Sequence, residues 1–258
     1  MSNKLIEVEN LFIRDKEGRY ILKNFDFSLE KEQIHAIIGE SGSGKTSFAL
    51  SIFKLNNQNL HITFKKFDLI KIPLDSYSTP KLEDLRGKVV SLIPQNPISA
   101  FHPYRKVGSQ IMEFFRLKKS PLANLDSIMT ILSETGIASP DKKIKMFPNE
   151  LSGGERQRIL ISMAFALKPK IIVADEPTTA LDPVNEKKVL KLLYALVQKN
   201  KTGMVLITHD LRIVKEMADM VTVLKNGLIV EKFSITQNSM SITKDYTKKL
   251  LNRFNIKN

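Results

Sequence analysis

Residues 39–46 read Gly-Glu-Ser-Gly-Ser-Gly-Lys-Thr, and no other stretch restricts the fold so strongly. Two glycines separated by four residues and followed by Lys-Thr let backbone N–H groups converge on one point. Before the octet, Ile34 to Ile38 is a short, largely apolar run of strand type; after it, SFALSIFKL carries apolar residues at helical spacing. A strand running through a glycine turn into a helix sets the helix's positive end against the turn, where anions are stabilised. Gly39, Glu40, Ser41, Gly42, Ser43, Gly44, Lys45, Thr46 and Ser47 are therefore expected to cradle the phosphates of a nucleotide. Lys45 supplies a point charge to the terminal phosphates, and Thr46 offers its hydroxyl to magnesium.

Two further motifs acquire meaning beside this cradle. Ile171-Ile172-Val173-Ala174-Asp175-Glu176-Pro177 is a buried strand that delivers two carboxylates at its carboxyl end, where ligands bind in open α/β sheets. Asp175 would hold magnesium through water, and Glu176 would orient or deprotonate a water attacking the γ-phosphate. Leu151-Ser152-Gly153-Gly154-Glu155 opens the helical run ERQRILISMAFAL, so Ser152, Gly153 and Gly154 sit at a second helix N-terminus. That segment reads equally as a second phosphate contact or as a Ser-capped helix start.

The remaining chain predicts one composite α/β unit. Residues 4 to 13 and 20 to 29 alternate apolar and polar positions, as half-buried antiparallel strands do. Residues 59 to 93 look strand-rich and irregular, ending in KVVSLIPQ, whereas helical spacing dominates 107 to 165. KIIVADEP and GMVLITHD are two buried parallel strands separated by a helix over 185 to 200, and VTVLKNGLIVEKF is a terminal hairpin turning at Asn226-Gly227. The expected fold is an α/β P-loop core, mainly parallel sheet flanked by helices, with an N-terminal antiparallel β-subdomain and an inserted helical subdomain. Core and β-subdomain take about 1–95 and 166–258, and the helical subdomain about 96–165, within a single domain.

Composition narrows the functional classes. The absence of cysteine excludes disulfides, thiolate metal sites and iron–sulfur clusters. The opening residues hold no signal-peptide core, and no apolar run approaches the roughly 18 to 20 residues that span a bilayer, so a membrane role would be peripheral. The formal charge of +13 is compatible with nucleic acid, anionic lipid or a lysine-rich composition. The lysines are scattered singly and in pairs, and no nucleic-acid partner is expected.

The order of motifs resembles one family. The cradle, then Gln95 after a strand, LSGGE at 151–155, VADEP at 173–177, Ala180-Leu181-Asp182, and His209 after VLIT follow the sequence of ABC ATPases over essentially the whole chain. The resemblance implies ATP and Mg2+, and a head-to-tail pair of subunits. In that pair the cradle of one and the Ser152-Gly153-Gly154 segment of the other close over one nucleotide. It further implies that Gln95 ligates magnesium with Thr46 and Asp175 and reports to a membrane subunit. His209 would contact the γ-phosphate, completing a catalytic set with Glu176 and Gln95, and Asp182 would sense the partner's site. Glu155 replaces the commoner Gln, with little consequence expected. Where relatives carry an aromatic ring for adenine, this chain has Arg14-Asp15-Lys16, with Tyr20 four positions late; Tyr20 reads as a strand residue, and Arg14 could stack instead.

Pro94-Gln95-Asn96-Pro97-Ile98-Ser99-Ala100-Phe101-His102-Pro103, Val107-Gly108-Ser109-Gln110 and Asp245-Tyr246-Thr247-Lys248-Lys249-Leu250-Leu251 resemble elements of the importers of peptides, nickel and metal chelates, with Asp245 replacing a proline. The short, cysteine-free chain leans toward members serving nickel or metallophores. The implied assembly has a second, different ATPase chain, two transmembrane permease subunits and an extracellular substrate-binding protein, with this chain on the cytoplasmic face of the membrane. An exporter ATPase with its permease on a separate chain is the alternative. Chromosome-structure ATPases interrupt these motifs with long coiled coils, and ribosome-binding ATPases carry two motif sets; neither feature is present.

Overall fold

The computed structural model describes residues 3–179, 181–236, 239–240 and 242–252; Ala180 lies outside them. The two alternating stretches form β1 (Lys4–Arg14) and β2 (Tyr20–Glu30), antiparallel, with Val8 opposite Phe27 and Ile13 opposite Leu22. The buried run β3 (Ile34–Gly39) then leads through the glycine turn into α1 (Lys45–Ile52). Three short strands, β4 (His61–Thr63), β5 (Lys66–Leu69) and β6 (Ile72–Pro73), join β1 and β2 in a five-stranded antiparallel sheet.

Residues 59–93 also contain a helix that the sequence pattern did not reveal, α2 (Thr79–Lys88). It is ten residues long, starts at Thr79-Pro80, buries Leu82 and Leu85, and breaks where Gly87 takes a φ of 86°. So short a run, with so little apolar periodicity, gives no readable helical signature. Next come β7 (Val90–Ile93), α3 (Val107–Leu117), α4 (Leu125–Glu134), α5 (Pro140–Lys143) and α6 (Gly153–Ala166). The chain then returns to the sheet with β8 (Ile171–Asp175), α7 (Pro183–Asn200), β9 (Gly203–Ile207) and α8 (Leu211–Met217). The Asn226-Gly227 hairpin joins β10 (Met220–Lys225) to β11 (Leu228–Thr236); β12 (Ser239–Met240) and α9 (Asp245–Asn252) follow.

The second sheet has the order β12-β11-β10-β3-β9-β8-β7, and its five strands from β10 to β7 are parallel. Alternation along these buried strands splits the core in two. Ile37, Ile171, Val173, Val205 and Ile207 face α1 and the antiparallel sheet, whereas Ala36, Ile38, Ile172, Ala174, Met204 and Leu206 face the side covered by α7 and α8. A third cluster, built on Phe101, Val107, Ile111, Phe115, Ile128 and Leu132, belongs to α3 and α4. Helix α6 serves two clusters, with Ile159 in the third and Ile161, Ala164 and Phe165 against the parallel sheet.

Candidate active site

Four adjacent parallel strands bring their carboxyl ends to one edge, and each end carries one of the sequence-predicted groups. The cradle follows β3, Gln95 follows β7, Asp175 and Glu176 end β8, and His209 follows β9.

The cradle is shaped by close approach. A Cβ on Gly39 would lie 2.3 Å from the Leu224 carbonyl oxygen, and one on Gly44, whose φ is 103°, would lie 2.6 Å from the Leu22 side chain. Gly44 is also the N-cap of α1, and no side chain caps that helix. Lys45 is only 6% exposed and donates from Nζ to the Gly39 and Glu40 carbonyls, both at 2.9 Å. Burial draws its pKa below the ordinary lysine value, against the pull of Glu176 and Asp175. Ser43 is buried with its Oγ unpartnered, whereas Ser41, Gly42 and Thr46 are exposed.

The acid pair divides as its surroundings differ. Asp175 is buried, its Oδ1 has no hydrogen-bond partner, and the Thr46 hydroxyl bonds its carboxyl group. Burial pushes its pKa up, and the Thr46 bond and Lys45 oppose that rise. Glu176 turns sharply out of the strand with a φ of 45°, its N–H still bonded to the Ile207 carbonyl at 2.9 Å. That left-handed conformation costs a non-glycine residue about 1–2 kcal/mol, and it aims the carboxylate along the sheet edge. Glu176 Oε2 accepts from Gln95 Nε2 and from Thr179 Oγ1, each at 2.9 Å, while Oε1 lies 3.4 Å from His209 Nδ1. Glu176 thereby joins the ends of β7, β8 and β9. Thr179 was not foreseen, because a hydroxyl three residues after an acid is too common a pattern to stand out.

The Ser152 segment opens a different helix, α6. Ser152 caps α6, its Oγ accepting the Glu155 N–H at 3.2 Å while Glu155 Oε2 accepts the Ser152 N–H at 2.9 Å. Asp182 caps α7, accepting the Val184 and Asn185 N–H groups at 3.1 Å and the Asn185 side-chain amide at 2.6 Å. Asn185 packs against Gly154, where an added Cβ would lie 2.9 Å from its Oδ1. The Ser152–Gly154 segment and Asp182 are thus linked with each other through Asn185.

A family model described as ABC transporter matches residues 22–179. The chain belongs to the ABC transporter family. It is 38% identical over 230 residues to the oligopeptide transport ATP-binding protein OppD of Lactococcus lactis subsp. lactis (strain IL1403), covering 88% of this chain and 68% of that protein. It is 36% identical over 254 residues to the oligopeptide transport ATP-binding protein AppD of Bacillus subtilis (strain 168), covering 96% and 77%. Among solved structures, the dimeric structure of MJ0796, a bacterial ABC transporter cassette, superposes with a TM-score of 0.78 at 24% identity, over 90% of this chain and 99% of the other. The expected α/β P-loop fold is therefore that of an ABC transporter ATPase, and the chain is an ABC-type transport ATPase.

The place where adenine is expected on this ABC ATPase joins the two alternatives. Tyr20 is the first residue of β2, as a strand residue should be, and 42% exposed. Arg14 pairs with it across the sheet and lies over its ring, Cζ 4.4 Å from the centroid, so the two form one stacked unit.

Proposed function

We propose that the chain is the ATP-binding and ATP-hydrolysing subunit of an importer that takes up peptides through separate permease subunits. The convergence of Gln95 and His209 on Glu176, beside the orphaned Asp175 oxygen and the buried Lys45, carries the ATP-hydrolysing part of this reading, and the oligopeptide transport relatives support the importer part. A lone carboxylate turn would need none of these contacts.

Backbone N–H groups of the Gly39–Thr46 turn and the end of α1 would receive the phosphates, and Lys45 would exchange its carbonyl contacts for phosphate oxygens. Thr46 and Gln95 would hold Mg2+, with Asp175 acting through water. The fit rests on the unpartnered, buried Asp175 Oδ1 beside the Thr46 hydroxyl. Among the described residues no group of three or more His, Cys, Asp or Glu side chains clusters as a metal site. That agrees with a cation taking most of its ligands from phosphate and water. Bound there, the cation would neutralise charge on the transferring phosphoryl group. Glu176 would orient the attacking water and accept its proton, and His209 would contact the γ-phosphate. The Arg14–Tyr20 unit offers the flat cationic surface on which adenine would stack.

The Ser152-Gly153-Gly154 segment, apart from the chain's own cradle, would close on the nucleotide of a partner ATPase, with Asp182 beside that junction. The helical subdomain, about 96–165, would receive a cytoplasmic permease helix. A groove of about 310 Å³ lies where that subdomain meets the core, lined by Phe53, Leu92 and Pro94 on one side and Phe114, Leu160 and Met163 on the other. No helix among the described residues is long and apolar enough to cross a membrane, in keeping with a peripheral place on the cytoplasmic face. The names of the relatives favour peptides over nickel or metallophores as cargo.

The test is affinity purification of the tagged chain from its native membranes in ATP, with mass spectrometry of co-purifying polypeptides and solutes. Two permease chains, a second ATPase and an external binding protein holding peptide are the expected companions. A permease without any binding protein would make the chain an exporter ATPase instead, and ribosomes or DNA without membrane proteins would overturn the transport assignment.

A further inference from the structure

We infer that Lys143 is a positioning residue for ATP turnover, cancelling the charge of Glu155 so that the Ser152–Gly154 end of α6 can receive a phosphate. The inference rests on the reading above, in which that segment faces the ATP held by a partner subunit's cradle.

The cap of α6 uses the N–H groups of Ser152 and Glu155 and leaves those of Gly153 and Gly154 as the donors of the first turn. A glutamine would close the same cap with its amide oxygen. Glu155 closes it with a carboxylate, which stabilises the helix end but lowers the positive potential there, at the place where a triphosphate must approach. The structure supplies a counter-charge from another element. Lys143, the last residue of α5, lies 2.8 Å from Glu155 Oε1, the oxygen not used by the cap.

Both side chains are about four-fifths buried, 21% and 19% exposed, so the pair is not one of the solvent-screened surface contacts that contribute little. Burial alone would raise the Glu155 carboxyl, but Lys143 and the Ser152 bonds outweigh it and hold the group below the usual glutamate range. Glu155 is therefore charged, and its compensation has to come from outside the helix.

Lys143 is itself held in place. The two residues that open α3 fasten the segment after it, the Val107 N–H to the Met146 carbonyl at 2.9 Å and the Gly108 N–H to the Ile144 carbonyl at 2.8 Å. On the other side of the cap, the Arg156 guanidinium bonds the Pro148 and Leu151 carbonyls at 2.8 and 2.7 Å, fixing the approach to Ser152. The Val107-Gly108 pair thus acquires a task, anchoring the lysine that neutralises the cap.

The test is a double-mutant cycle in the complex recovered with the tagged full-length chain. Lys143→Gln is expected to lower turnover about 5- to 20-fold, by unmasking a carboxylate beside a phosphate-binding helix end. The affinity of the chain's own cradle for a fluorescent ATP analogue, measured on the isolated chain, should stay within about twofold, because Lys143 pairs with Glu155 on α6 whereas the cradle is framed by β3 and α1. Lys143→Gln combined with Glu155→Gln is expected to regain at least about a third of the parent turnover, a rescue that a purely structural loss would not allow. Unchanged turnover in the single variant, or a double variant that stays low, would overturn the inference. If Lys143→Gln does not fold, Glu155→Gln alone still decides: it should turn over at least as fast as the parent, and a marked drop counts against charge compensation. Ser152→Ala separates the two levels. A slow Ser152→Ala with a normal Lys143→Gln removes the role of Lys143 and leaves the segment's role standing, whereas a normal Ser152→Ala removes both.

Discussion

The two helix N-termini on which phosphate is expected, α1 in the cradle and α6 at Ser152, are built in opposite ways. Helix α1 starts at a left-handed glycine with no side-chain cap, beside an unpartnered Ser43 hydroxyl and an unpartnered Asp175 oxygen. Helix α6 starts with a reciprocal Ser152–Glu155 cap, a lysine counter-charge and an arginine brace. An uncapped helix end gives up about 1 kcal/mol, and buried polar atoms without partners add to that cost. The cradle therefore spends stability to leave donors and acceptors open for its ligand, while the α6 end is complete before any ligand arrives and offers only what the cap leaves over. In the function proposed above, the first end would grip the nucleotide and the second would meet it only when another subunit brings it near.

That contrast can be broken most sharply at Glu176. Glu176→Gln keeps a side chain able to meet Gln95 and Thr179 but removes the base, and turnover should fall by about 10² to 10⁴ with ATP binding preserved. Steady-state hydrolysis measured beside equilibrium binding checks it, and full turnover would take Glu176 out of its role. Next in size is Gly44→Ala, which must hold a strained backbone and push a methyl against Leu22 and the Ile21 carbonyl. It should cost about 2 to 4 kcal/mol of folding stability, seen as a lowered denaturation midpoint without ligand. A midpoint like the parent's would mean that the cradle is less tightly framed than its contacts indicate. The smallest expected change is Lys45→Ala, which should weaken ATP binding roughly 10- to 100-fold, the range of a lost charge-assisted hydrogen bond. Unchanged affinity would move the phosphates away from this loop.

The cradle was legible because its chemistry is local: eight consecutive residues between a strand and a helix carry the whole argument. The parallel strands were legible for the same reason, since β8 and β9 are continuous apolar runs. What the sequence hid depends on distance along the chain. Gln95 and Glu176 meet across 81 positions, and only strand order, β7 beside β8, makes them neighbours. Lys143 sits in a four-residue helix with no apolar period, so nothing marked it as the partner of Glu155. Helix α2 escaped notice because its leucines are too few to set a rhythm. Arg14 and Tyr20, the alternatives for an expected adenine contact, lie one over the other, since the β1–β2 register pairs them.

The bonds already made by Glu176 bear on when ATP is spent. Oε2 of this carboxylate accepts from both Gln95 and Thr179, with His209 beside Oε1, so Oε2 would be a weaker proton acceptor until one of its two donors lets go. Gln95 opens the chain segment that runs on into the helical subdomain, so its amide is tied to whatever moves that subdomain. On the proposed reading, a subunit alone would hold its general base partly engaged, and hydrolysis would wait on a movement at the Gln95 junction.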